Sequence, residues 1–211
     1  MSARRAVLAL AALALPRVAV ADDSRFAIDA AVGYQDLTSA SDSAKAVFDG
    51  SSGGLTLGGG ARFGLGDHLY VGAFARYFSK DGERVFVSSG GGEVFRLGHP
   101  LSLRLVPVHA TVGWRFGGGS LRPYAGGGVG FTSYREESTV GGVTESASDT
   151  KFSAHVLGGL EFGRGSLRVA AEAMWTTVPD SLGVGGVSEV YGESDIGGLS
   201  VVGKVVFALG N

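Results

Sequence analysis

Apolar and polar residues alternate along eight stretches of this chain, and the apolar series is bordered by aromatic residues at both ends. At one end stand Phe26, Phe63, Trp114, Phe116, Phe162 and Phe207; at the other stand Tyr34, Tyr77, Phe131, Phe152 and Trp175. A β-strand turns successive side chains to opposite faces, so each aromatic shares a face with the apolar residues beside it. The fourth stretch gives Val106, Val108, Ala110, Val112 and Trp114; the seventh gives Leu167, Val169, Ala171, Ala173 and Trp175. No charge interrupts any of these series. Amphipathic rings settle at the headgroup level of a bilayer, and a charge facing lipid at mid-membrane costs about 2–4 kcal/mol. The stretches from Phe26 to Tyr34 and from Phe152 to Phe162 match the roughly 9–11 residues of a tilted membrane-spanning strand.

The opposite faces carry charge: Asp29, Arg62, Arg76, Arg115, Arg122, Glu161, Arg168, Glu172 and Lys204, with His109 and His155. A soluble barrel or sandwich would have to bury all of these in an apolar core. A polar lumen lets them pair instead, so the charges decide between the two orientations. Glu161 and Glu172 fall on neighbouring strands, Arg168 shares the face of Glu172, and closure of the barrel makes Asp29 and Lys204 neighbours. Eight strands leave an interior just wide enough for side chains to fill. The network therefore reads as a charge-paired plug, with a narrow gated pore as the alternative. A wide diffusion channel does not fit this strand number.

The connections alternate in length. Residues 64–68, 117–120 and 163–166 are short and glycine-containing, as tight hairpins require, whereas 35–54, 78–105, 132–151 and 176–198 read as long polar loops. Within 78–105, Arg84–Val87 and Glu93–Arg96 flank a Ser/Gly run, which predicts a hairpin with open edges beyond the membrane. The loop acids Glu136, Glu137, Asp149, Asp180, Glu189, Glu193 and Asp195 read as solvated. Glycine makes up 37 of 211 residues, which disfavours helices, and no segment shows sustained helical periodicity.

Arg4 and Arg5 precede the apolar run Ala6–Leu15 and the small-x-small site Ala19-Val20-Ala21, the pattern of a secretory signal peptide over 1–21. The mature chain, 22–211, is sized for one domain. Removing Arg4, Arg5 and Arg17 takes 18 basic residues to 15 against 20 acids, a net charge of −5, which gives no basic footprint for nucleic acid. There is no cysteine, so no disulfide and no lipid-modified cysteine.

The segment from Val106 through Gly113-Trp114-Arg115-Phe116, the Gly117–Ser120 turn, and Leu121-Arg122-Pro123-Tyr124-Ala125-Gly126 to Phe131 resembles the outer-membrane β-barrel domain family. These are the small eight-stranded barrels of the OmpA, OmpX and OmpW type. The resemblance implies an all-β, eight-stranded antiparallel up-and-down transmembrane barrel in the outer membrane of a Gram-negative cell. It further implies lipid and lipopolysaccharide as surroundings, insertion by the barrel assembly machinery, and a monomer. Such barrels usually end on an aromatic residue, whereas Ala208-Leu209-Gly210-Asn211 follow Phe207 here.

The function expected is structural or surface-interacting, with an extracellular partner reached through 78–105. A gated small-solute pore is second, and a lipid-modifying enzyme a distant third. Lipid-modifying barrels use a histidine with a serine near the rim; only His99, with Ser102 nearby, is a candidate, and no orienting acid accompanies it. Gly198–Val205 resembles a phosphate-binding loop but lacks the hydroxyl after Lys204 and the strand-to-helix setting. No catalytic, cofactor or metal residues are assigned.

Overall fold

The computed structural model describes residues 25–88, 90, 92–117, 119–182 and 185–209. The segment 1–21 read as a signal peptide lies outside these, as do Gly210 and Asn211.

Alternation produces eight strands: β1 (Phe26–Asp36), β2 (Gly53–Leu65), β3 (Leu69–Val87), β4 (Val94–Arg115), β5 (Leu121–Val140), β6 (Val143–Phe162), β7 (Leu167–Thr177) and β8 (Gly198–Leu209). Each pairs antiparallel with the next, and β8 closes on β1, with Phe26 opposite Leu209 and Asp36 opposite Leu199. This is the eight-stranded up-and-down barrel the alternation predicts. Closure leaves no open edge along the shared height of the ring, so every backbone ladder there is satisfied internally.

The apolar series face outward throughout: Val32, Leu55, Val112, Val156 and Val201 are exposed, while their strand neighbours point into the ring. The border aromatics are exposed as well, apart from a half-buried Phe207. Phe131 and Phe152 sit opposite each other on β5 and β6, ring centroids 6.3 Å apart and edge-on. The outward series of β8 does not stop at Phe207, since Leu209 continues it and pairs with Phe26.

Two of the long connections are paired strands, as the pattern of Arg84–Val87 and Glu93–Arg96 predicts for one of them. The 78–105 segment is a continuation of β3 and β4, paired as far as Val87–Val94. The 132–151 segment, read as a loop, is likewise a hairpin, paired to Val140–Val143 around Gly141-Gly142. Its residues are polar on both faces and give no alternation to read, yet cross-strand pairing extends an existing ladder at little further cost in entropy. From Tyr77 to Val87, β3 continues about 33 Å along its own direction beyond the aromatic border, at roughly 3.3 Å per residue.

The other two loops cover the mouth of the barrel. The first holds a 3-10 turn (Thr38–Ala40) and a short helix, α1 (Ser41–Val47); the second holds α2 (Val187–Tyr191). Helix periodicity is invisible over such lengths, because tertiary contacts hold helices this short. The carboxylate of Glu193 accepts the Asp42 and Ser43 N–H groups at 3.0 and 2.9 Å, satisfying first-turn donors of α1. Asp195 accepts from the Val178 and Gly197 N–H groups at 2.8 and 2.6 Å and from the Thr177 hydroxyl. These two acids, read as solvated, are therefore structural ties.

Candidate functional site

The lumen divides into layers. At the short-turn end, Tyr70 and Tyr124 cross the interior with Ala27, Ala170 and Val206 against them. Glycine makes room for both rings: a Cβ on Gly113 would stand 2.2 Å from Tyr70 Cζ, and one on Gly159 2.4 Å from Tyr124 Cζ.

Around these rings the charges form two centres. Glu161, on β6, accepts from Arg168 of β7 at 3.1 Å, from Arg122 of β5 at 3.4 Å, and from Arg62 of β2 across the barrel. Glu172, on β7, accepts from Arg76 at 2.6 Å, Lys204 at 2.7 Å and the Tyr124 hydroxyl at 3.0 Å. Lys204 also stands 3.8 Å from Asp29. Arg168 thus joins Glu161 rather than Glu172, whose face it shares: across the β6–β7 ladder it sits one step from Glu161. Arg76 also donates to Ser200 at 2.8 Å and lies over the Phe74 ring at 5.1 Å. Arg115 is inward at the short-turn end, and its Nε has no hydrogen-bond partner among the described residues. A void of about 40 Å³ remains between Asp29, Arg62, Phe74, Tyr124, Glu172 and Lys204. That is room for one or two waters.

A neutral polar layer lies above the charges. His109 and His155 stack with ring centroids 4.9 Å apart, and their Nδ1 atoms are 2.9 Å apart, a spacing that requires one proton between them. His109 Nε2 meets Ser153 Oγ at 2.6 Å, and His155 Nε2 meets Thr111 Oγ1 at 3.0 Å. Thr132 donates to Ser153 at 3.0 Å. This Ser-His-His chain has the connectivity of a nucleophile with base and orienter. Ser153 is fully buried, however. Among the described residues no third histidine, cysteine or acid joins the pair to form a metal site. Alternation put both histidines in the lumen but could not show that they touch. His99 and Ser102 are three apart on β4, hence on opposite faces, and cannot act together.

Above the histidines the interior turns apolar. Phe78, Leu105, Leu103 and Leu101 point inward from β3 and β4 and pack with Leu37, Ala44, Phe48, Val178 and Ile196 from the covering loops. On the same strands the outer face turns polar: Ser79 and Asp81 follow Tyr77, Arg104 precedes Val106, and Ser133 and Arg135 follow Phe131. The polarity of the two faces inverts at the aromatic border. A barrel wall needs an apolar outside in lipid and an apolar inside in water, so the inversion marks where the strands leave the bilayer. The sequence signal was the run Leu101-Ser-Leu-Arg-Leu-Val-Pro-Val, in which the apolar phase shifts by one between Leu105 and Val106.

Over this cap lies a cleft of about 470 Å³ between α1, the α2 loop and the two tall hairpins. Its walls are mixed, apolar along Leu37, Phe48, Leu101, Leu103 and Ile196 and polar at Ser43, Arg84, Tyr134, Glu136 and Ser188.

The family described as outer membrane protein beta-barrel domain matches residues 6–166 of the chain. No curated protein matches it. Among solved structures it is similar to Neisserial surface protein A, with a TM-score of 0.56 and 15% identity, over 88% of this chain and 98% of that one. The N-terminal barrel domain of Pseudomonas aeruginosa OprF aligns over 87% of this chain and 97% of its own, with a TM-score of 0.46 and 13% identity.

Proposed function

The chain belongs to the outer membrane protein beta-barrel domain family, and from that premise we propose that it is a surface-interaction protein with a closed lumen. The observation that carries this reading is the inversion at the aromatic border. A barrel serving only as an anchor has no need of wall beyond the bilayer. Here β3–β6 continue as two tall hairpins around an apolar core of their own, which holds a rigid structure clear of the membrane. Ion pairs and tyrosines fill the lumen below, and Phe78 and Leu105 stop it above.

In this reading residues 1–21 are a signal peptide removed on export. The assembly machinery inserts the chain as a monomer among lipid and lipopolysaccharide, and the β3–β4 hairpin meets the extracellular partner. Its exposed tip carries Phe86 and Phe95, ring centroids 6.2 Å apart. Deleting Arg84–Arg96 and closing the gap with a glycine turn tests the assignment. Cell-surface binding should fall sharply while the barrel still shows a folded, heat-modifiable band. Binding that survives this deletion and is lost on shortening 132–151 would assign the role to the β5–β6 hairpin instead.

A narrow pore is the second reading. Lys204 favours it, since it lies between Glu172 and Asp29 and could exchange one for the other.

A further inference from the structure

The cleft above the lumen cap contains a carboxylate that packing does not explain. Glu136 sits on the inward face of β5, opposite Leu103 of β4, and lines the cleft beside Leu101, Phe48 and Val85. Among the described residues it has no hydrogen bond and no ion pair within 4 Å: Arg84, across the cleft, is instead 3.7 Å from Glu145. By contrast its strand neighbour Glu137 pairs with Arg104 and Arg135, and Asp149 on β6 pairs with Lys151. Glu136 is half-buried, and a carboxylate so placed without a partner gives up part of its hydration and gains nothing inside the molecule.

We propose that this cleft binds an amphipathic molecule with an apolar chain and a cationic amine head, the head pairing with Glu136. The volume suits it, since small-molecule sites run to roughly 300–1,000 Å³. So does the lining, which is apolar along Leu37, Ala44, Phe48, Leu101, Leu103 and Ile196 and carries an acid, Glu136, on β5 opposite a cation, Arg84, on β3 that Glu145 engages. The chain of the ligand would lie over the cap, and its ammonium would supply the hydrogen bonds that Glu136 lacks. Burial raises the Glu136 carboxyl above the usual glutamate range, with Arg84 acting in the opposite direction. The surface-interaction reading names no small molecule, and this site stands whether or not that reading holds.

Three ligands of one chain length separate the contributions: decylamine, decanol and decanoate. They are titrated into the barrel in lipid nanodiscs and followed by amide NMR shifts, corrected for partition into empty nanodiscs. Decylamine should shift Leu103, Tyr134 and Gly186 and bind about tenfold tighter than decanol, the effect of one charge-assisted hydrogen bond. Glu136→Gln should bring decylamine down to the affinity of decanol and leave decanol unchanged. Should that variant fail to fold, the wild-type protein at a pH that protonates Glu136 should lose the amine preference in the same way. Equal affinity for all three ligands, tighter binding of decanoate, or no shift at these amides would each overturn the proposal.

Discussion

The buried carboxylates set the terms at the scale of single residues. Glu172 is 3% exposed and holds two cations and a phenol, so removing it leaves Arg76 and Lys204 without their buried acid. Glu172→Ala should cost on the order of 3–5 kcal/mol of barrel stability, the usual effect of breaking a buried pair from one side. Urea unfolding in lipid vesicles measures it, and a loss below about 1 kcal/mol would mean that water compensates the cations. Glu136 makes a pH prediction. Its folded-state pKa lies above its ordinary value, so the stabilisation is complete below the ordinary glutamate range and disappears as pH rises through the raised value. Protection of β5–β6 amides from hydrogen exchange should therefore be greater in mild acid than at neutral pH, and Glu136→Gln should flatten that dependence. Asp149, exposed and lowered by Lys151 and by the Thr150 N–H, acts in the opposite direction, which is why the Glu136 variant is the needed control.

Among the structural elements, α1 is the one whose existence depends on distant residues. It has seven residues, no side-chain cap of its own, and the Glu193 carboxylate at its first N–H groups. Glu193→Ala should destabilise the covering loops by about 1 kcal/mol, seen as faster exchange at Asp42–Ala44, and leave the β-ladders unchanged. The strands were legible in the sequence because lipid imposes a strict period of two on their outer faces. The tall part of the β5–β6 hairpin was not, since Thr144–Lys151 are polar on both faces and only pairing reveals the strand. Charge alone separated the lumen face from the lipid face. It could not assign partners, as Arg168 illustrates: its neighbour across the ladder, rather than along its own strand, is the acid it meets.

The whole molecule is one closed barrel surmounted by two tall hairpins, with a charged interior in the barrel and an apolar core between the hairpins and the covering loops. The lower part reads as the anchor, and the upper part as the working surface. The two should be separable: Phe78→Ala, at a fully buried position in the cap, should lower stability by about 3–5 kcal/mol without preventing outer-membrane insertion. Heat-modifiable migration from an outer-membrane fraction checks insertion. The central claim is that the lumen is closed and the function lies above it, and single-channel recording in planar bilayers tests this most directly. The filled lumen and its apolar cap predict a flat baseline for the folded protein, and steady, ion-selective openings from the same preparation would contradict it.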